Sequence, residues 1–223
     1  MYLLIYSTCM CVDLSHLLLQ VTGNMTWKTP SKRSVEYVSK IGAILGPDRV
    51  YLDKKVSSVT RKAGADGAVS ITVKDANGGV ETADVVVFAC HPDQALAILG
   101  SDADDVEKNN LAAFTYSTND TYVHTDTTLM PRTKNAWTCW NYIATKDAKG
   151  DTRPVFVTYW LNKLQNLKHP RDIFVSLNPS TPPAADKILS RIEYTHPQYT
   201  AESVQAQRRV AASQGHRSTY FCG

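Results

Sequence analysis

Cys90 and His91 stand side by side at the end of an apolar run. A thiol beside an imidazole is the pairing that thiol nucleophiles use. Such a pair works only when the two side chains face each other. Neighbours on a strand point to opposite faces, so this adjacency argues for a structural or cofactor-shell role rather than a reactive couple. His124 and Asp126 lie two apart and share a face if their segment is a strand, which suits an acid–base pair or two metal ligands. No third ligand stands at a suitable spacing, and no metal site is assigned. Trp137, Trp140, Tyr159 and Trp160 concentrate aromatic surface in two neighbouring segments. Such surface either packs a core or walls a pocket. Trp137, Trp140 and Tyr159 are the candidate lining of a substrate pocket. Alternation sends Tyr159 and Trp160 to opposite faces, so at most one of those two reaches it. Lys32-Arg33 has the charge to meet a phosphate or a lipid head group, although exposed basic pairs are usually only solvated.

The elements that position these residues follow from hydrophobic period. Val85 to Phe88 run without a polar break into Ala89, as a strand buried on both faces does. In sheets covered on both faces, ligands sit beyond the carboxyl ends of the strands, where Ala89, Cys90 and His91 fall. Pro92 ends the strand because it has no N–H for the ladder. Before this run, residues 13–21 and 34–45 have helical spacing, with Ser31 or Ser34 as a cap and Gly46-Pro47 as a stop. The period then changes to two. Strands are expected over 50–61, 68–74 and 80–83, with a turn at 64–67 and the hairpin signal Asn77-Gly78. Helices are expected over 93–99, 102–110, 184–192 and 202–213. Extended segments are expected over 111–124, 137–143, 155–160, 173–177 and 219–222, with a polar loop at 146–153.

The bulk composition narrows the classes. In 223 residues, 43% are hydrophobic and 20% charged, as in a globular protein rather than a disordered one. The net charge of +3 comes from scattered Lys and Arg, without the basic stripe that nucleic-acid binding needs. Five cysteines (Cys9, Cys11, Cys90, Cys139, Cys222) have no repeating spacing and no CxxC. That pattern points away from a disulfide framework or a zinc site and towards a reducing, cytoplasmic compartment. The first 12 residues are apolar, but no Lys or Arg precedes them and Asp13 follows; they read as a buried element rather than a signal peptide. No stretch reaches the ~18 apolar residues of a membrane span.

A set of short motifs then lines up in order: 27–38 from Trp27 to Val38, the strand entry at Val56, Ala89-Cys-His-Pro-Asp-Gln-Ala-Leu96, His124-Thr-Asp126, Leu129-Met-Pro-Arg132, Ala136-Trp-Thr-Cys-Trp-Asn141, Thr158-Tyr-Trp-Leu-Asn162, Leu164-Gln165, Leu177-Asn-Pro179, His196-Pro197 and Tyr220-Phe-Cys-Gly223. The ordered set resembles the flavin-dependent amine oxidase superfamily. Its nearest branch is the amine-oxidase-like domain that stands alone in bacteria or is fused ahead of cyclopropane-fatty-acid synthases in plants and algae.

The resemblance implies an α/β FAD-binding fold of the two-dinucleotide-binding-domain type, with an antiparallel meander and an inserted mixed-sheet (α+β) substrate domain. It divides the chain into 1–46 (helical part of the substrate domain), 47–100 (FAD-domain meander and core strand), 101–215 (substrate domain) and 216–223 (start of the closing FAD-binding strand). It implies FAD as cofactor, with Val56 at the adenine, Ala89 near the phosphates and Gly223 as the first glycine of the closing motif. It gives no catalytic side chain, because the flavin carries the hydride chemistry. The substrate it implies is an amine or a small lipid-like molecule, and the partner a fused or associated methyltransferase domain. The family's GxGxxG turn occurs nowhere in this sequence. The chain is therefore expected to be an internal piece of the enzyme that binds FAD weakly alone. The alternative is a truncated or degenerate paralogue without catalysis.

Overall fold

The structure is a computed structural model that describes Pro30 and residues 33–65, 67–143 and 156–223. The helix expected over 13–21, the motif residues from Trp27 to Thr29, Ser31, Lys32 and the loop 146–153 lie outside the described residues. In chain order the elements are α1 (Ser34–Leu45), β1 (Val56–Ala63), β2 (Val69–Asp75), β3 (Val80–Ala83), β4 (Val86–Phe88), α2 (Pro92–Leu99), α3 (Asp105–Leu111), β5 (Tyr116–His124), β6 (Trp140–Ile143), β7 (Phe156–Trp160), α4 (Leu161–Leu164), β8 (Phe174–Leu177), β9 (Ile188–Pro197), α5 (Ala201–Ala212) and β10 (Thr219–Phe221). The protein mixes helix and sheet. Among the described residues no helix is long and apolar enough to cross a membrane.

The contacts divide the chain into two units. One runs up to Ala112 and resumes at Arg208–Gly223; the other is Ala113–Gln207.

In the first unit β1, β2 and β3 form an antiparallel meander. Gly78 turns the β2–β3 hairpin at φ 89°, a left-handed conformation that glycine adopts without steric cost. The side chain of Asp75 accepts the N–H groups of Asn77 and Gly79, both at 2.8 Å, and so closes the turn. Val59 and Ile71 point inward to a core with Phe88, Ala95, Leu99, Ala103 and Leu111. β4 lies beside β10 in a parallel pair, Val86 opposite Thr219 and Phe88 opposite Phe221.

Arg61 shares the inward face of β1 with Val59, and its side chain is fully buried. All five of its N–H donors are used. Nε donates to Asp102 at 2.6 Å, one terminal nitrogen to Glu107 and to Thr219 Oγ1 at 2.8 Å, and the other to Glu107 at 2.7 Å and to the Asp102 carbonyl at 3.1 Å. Glu107 is itself buried and sits in the first turn of α3, where it closes a capping box with Asp104. Burial works to lower the guanidinium pKa, but the two carboxylates outweigh it and the pKa is raised. This one side chain therefore joins β1, α3 and β10. Arg217 adds bonds to the Asp102 and Arg61 carbonyls from a left-handed backbone, φ 48°.

The second unit is a five-stranded sheet in the order β6-β7-β8-β5-β9; among the described residues it is antiparallel throughout, not the mixed sheet that the resemblance implies. Met130, Trp137 and Phe174 pack on one face with Trp160 against them.

Four other sequence expectations change. The segment 184–192 is not a helix: after one short turn at Ala185–Lys187 the chain extends into β9, which pairs with β5 from Tyr116–Pro197 to His124–Ile188. The apolar spacing suits a helix, but β-branched Ile188, Ile192 and Thr195 suit a pleated surface, and a ready strand decides between them. The strand expected from Val50 begins only at Val56. α1 forms where expected but without a serine cap, since Arg33 holds the N-cap position with no side-chain bond. Lastly, β4 is covered on one face only. Phe88 is buried, whereas Val85 and Val87 are 51% and 56% exposed, because the core packs on the face that carries Val86 and Phe88.

Candidate functional site

Parallel pairing sends the carboxyl ends of β4 and β10 out on the same side. Phe88 and Phe221 stack at 5.5 Å as the last residues of the pair, and the Cys222 N–H donates to the Phe88 carbonyl at 2.9 Å. Beyond that bond lie Ala89 and Cys90 on one strand and Gly223 on the other. A Cβ on Gly223 would stand 1.9 Å from the Cys90 carbonyl oxygen, so only glycine fits this approach. Ala89 is exposed at the same edge. α2 starts immediately afterwards, with Pro92 at its first turn and the His91 N–H donating to Gln94 at 3.3 Å. The structure thus brings two of the expected cofactor residues, Ala89 and Gly223, to one edge. The third, Val56, is the first residue of β1 and packs on the same core as Cys90 and Phe221.

Cys90 and His91 do not form a reactive pair. Burial pushes the Cys90 thiol up, and the Asp93 carboxylate adds to this. A raised thiol is the reverse of an activated nucleophile. His91 serves at the helix cap.

His124 and Asp126 are likewise absorbed by the architecture of the second unit. Asp126 lies past the end of β5, and its N–H donates to His124 Nδ1 at 3.1 Å. The ring proton is therefore on Nε2, which donates to Ser176 Oγ at 2.8 Å. An imidazole in that tautomer cannot take the serine proton. Ser176 passes the chain of bonds to Thr158 Oγ1 at 2.6 Å, and all three side chains are fully buried. Burial pushes the His124 pKa down to about 4, against the pull of Asp126. Burial alone would raise the Asp126 carboxyl. The N–H groups of Ala184 and Thr128, the Thr128 hydroxyl and Lys187 outweigh it and hold the group below the usual carboxylate range. Among the described residues no group of three or more His, Cys, Asp or Glu is placed to hold a metal.

The aromatic residues divide between two faces. Trp137 meets Trp160 at 5.3 Å and Phe174 at 5.5 Å, edge-on in both cases. Trp140 and Tyr159, directly opposite each other in β6 and β7, form a separate edge-on pair at 6.1 Å. Of the three expected pocket residues only Trp137 lines the second unit's cleft, a hollow of about 490 Å³ bounded also by Thr127, Thr128, Met130, Pro131, Arg132, Lys134 and Asp172. Trp137 is fixed there by its indole N–H on the Pro131 carbonyl at 2.7 Å. Lys134 lies over the Trp137 ring at 5.1 Å and pairs with Asp172 at 3.1 Å; Asp172 also accepts from Trp160 at 2.9 Å. Arg132 has no carboxylate partner among the described residues. Sequence reading did not single out this cleft, since Asp172, which pairs with Lys134 and closes it, lies 35 residues beyond the rest of the lining at 127–137.

Residues 5–134 match the family model of the flavin containing amine oxidoreductases, more than half of the chain. The chain belongs to that family. No curated protein matches it. Among solved structures, a CLA-producing fatty acid isomerase from P. acnes superposes with a TM-score of 0.56 at 15% identity, over 95% of this chain and 51% of the isomerase. The likeness is one of fold, and this chain spans about half the isomerase's length. RAB GDI from Plasmodium falciparum has a TM-score of 0.33 at 10% identity, over 75% of this chain and 35% of that protein. At that score it adds nothing to the assignment of fold.

Proposed function

We propose that the chain supplies one edge of the FAD site of an amine-oxidase-type oxidoreductase, with the second unit as its substrate domain. One observation carries this reading. The parallel β4–β10 pair brings exposed Ala89 and a glycine too crowded for a Cβ to a single carboxyl edge. That is where α/β sheets hold their ligands. Ala89 and the Gly223 backbone would border the cofactor phosphates, and Val56 the adenine. The glycine-rich turn that usually cradles the pyrophosphate is absent from this sequence and would come from outside these 223 residues. Bound FAD would supply the hydride acceptor. The test is flavin absorbance of the purified full-length gene product, with and without Gly223→Val. We expect a flavin spectrum in the wild type and its loss in the variant with the far-UV circular dichroism unchanged. A colourless wild-type protein that gains no flavin with added FAD favours the non-catalytic paralogue instead.

The lining of the cleft supports one of the two substrate classes over the other. Its floor is apolar (Met130, Pro131, Trp137), and with Lys134 and Asp172 paired its remaining charge is Arg132. This suits a lipid-like molecule with an anionic end better than a protonated amine, as a guanidinium grips a carboxylate bidentately. The fold shared with a fatty acid isomerase supports the same choice. Titrated against tryptophan fluorescence, a medium-chain fatty acid should bind and the alkyl amine of equal length should not. Arg132→Ala should weaken the acid roughly tenfold or more, the worth of a hydrogen bond to a charged group. Equal binding of the amine would remove this assignment.

A further inference from the structure

β9 is an edge strand, and among the described residues no strand pairs with its outer side. The Gln198 N–H donates to Thr115 across β5, so in the regular stretch that precedes it Arg191 and Glu193, of the opposite parity, turn their N–H and carbonyl groups outward. Pro197 has the outward parity as well, the one place in a ladder where proline costs no bond.

The side chains on this edge are unevenly matched. Glu193 stands directly opposite Asp120 on β5, a like-charge pair. Arg191 is committed to Asp120, with bonds of 2.9, 3.0 and 3.1 Å, and lies over the Tyr122 ring at 5.6 Å. Among the described residues Glu193 feels only Arg191, and it shares that guanidinium with Asp120. One cation on this edge therefore serves two carboxylates.

A second copy of the same edge brings another guanidinium to the open side of Glu193. When two β9 strands run antiparallel about a two-fold axis at Ile192, Arg191 of each faces Glu193 of the other, and both belong to the outward set, so each pair also exchanges two backbone hydrogen bonds. An axis at Arg191 sets arginine on arginine, and an axis at Glu193 sets glutamate on glutamate. Of these three registers only the axis at Ile192 sets opposite charges face to face. We propose that the chain forms a two-fold dimer through β9, joining two five-stranded sheets into one of ten strands, with reciprocal Arg191–Glu193 pairs fixing the register.

The test is sedimentation of the chain at tens of micromolar, with folding checked by circular dichroism. The wild type should sediment at twice 24.7 kDa. Glu193→Arg should sediment as a monomer. The charge swap Arg191→Glu with Glu193→Arg keeps an opposite-charge contact with Asp120 and should restore the dimer. Glu193→Pro deletes an outward N–H without touching the β5 ladder and should also give the monomer. A monomeric wild type, a dimeric Glu193→Arg, a charge swap that stays monomeric or a dimeric Glu193→Pro would each overturn the proposal.

Discussion

Replacing Arg61 by methionine should destabilise the first unit by about 3–5 kcal/mol, the usual cost of removing one partner from a buried ion pair. The variant strips Glu107, 4% exposed, of both its cationic contacts and leaves the Thr219 hydroxyl oxygen without its donor. Lysine does not substitute, because a point charge with three donors cannot meet five acceptor contacts spread over three elements. Adding Glu107→Leu to Arg61→Met should recover much of the loss, since an apolar pair of similar volume needs no solvation. Urea unfolding followed by far-UV circular dichroism reads the change. Trp137, Trp140 and Trp160 lie in the second unit, so tryptophan fluorescence there should move far less. A loss below about 1 kcal/mol would show that Arg61 is solvated rather than sealed.

The second large effect is on acid stability. His124 has its folded pKa near 4 against 6.5 in the unfolded chain, so between those values the unfolded state binds a proton that the folded state refuses. The contribution is fully present above pH 6.5 and is lost as the pH falls towards 4, at about 1.4 kcal/mol per pH unit and about 3 kcal/mol in total. Asp126, whose folded pKa is also depressed, contributes stability that is lost at still lower pH. The two therefore separate along the pH axis. His124→Gln, which keeps a donor towards Ser176, should flatten the dependence between pH 6.5 and 4 while leaving the steeper acid limb. Unfolding midpoints of the second unit that are equally pH-dependent in both proteins would refute the assignment.

What the sequence disclosed depended on how local the determinant was. The β2–β3 hairpin was legible because Asn77-Gly78 and Asp75 settle it within five residues. α2 was legible because Pro92 and the apolar residues after it belong to one segment. β9 was not, since Ile188, Leu189 and Ile192 read equally well as a helical stripe until β5, some seventy residues earlier, offers its edge. The Arg61 cluster was missed for a related reason. Its partners Asp102, Glu107 and Thr219 are 41, 46 and 158 residues away. One local sign existed: a charged residue at an inward position of an alternating strand, two after Val59, which calls for a buried counter-charge. The proposed cofactor edge was expected through family motifs alone, because composition does not show that β4 and β10 lie side by side.

The discontinuity of the first unit has a kinetic and entropic consequence. Thr219 meets Val86 only after 132 intervening residues have been made, of which 95 (113–207) belong to the other unit. That unit begins and ends in paired strands, Tyr116 opposite Pro197, so once folded it presents its two ends as neighbours. An unfolded insertion makes the loop between β4 and β10 roughly three and a half times longer, and closing it costs about 1 kcal/mol more. A lesion in the continuous unit, such as protonation of His124, is thereby transmitted to the closing of β10 through chain entropy.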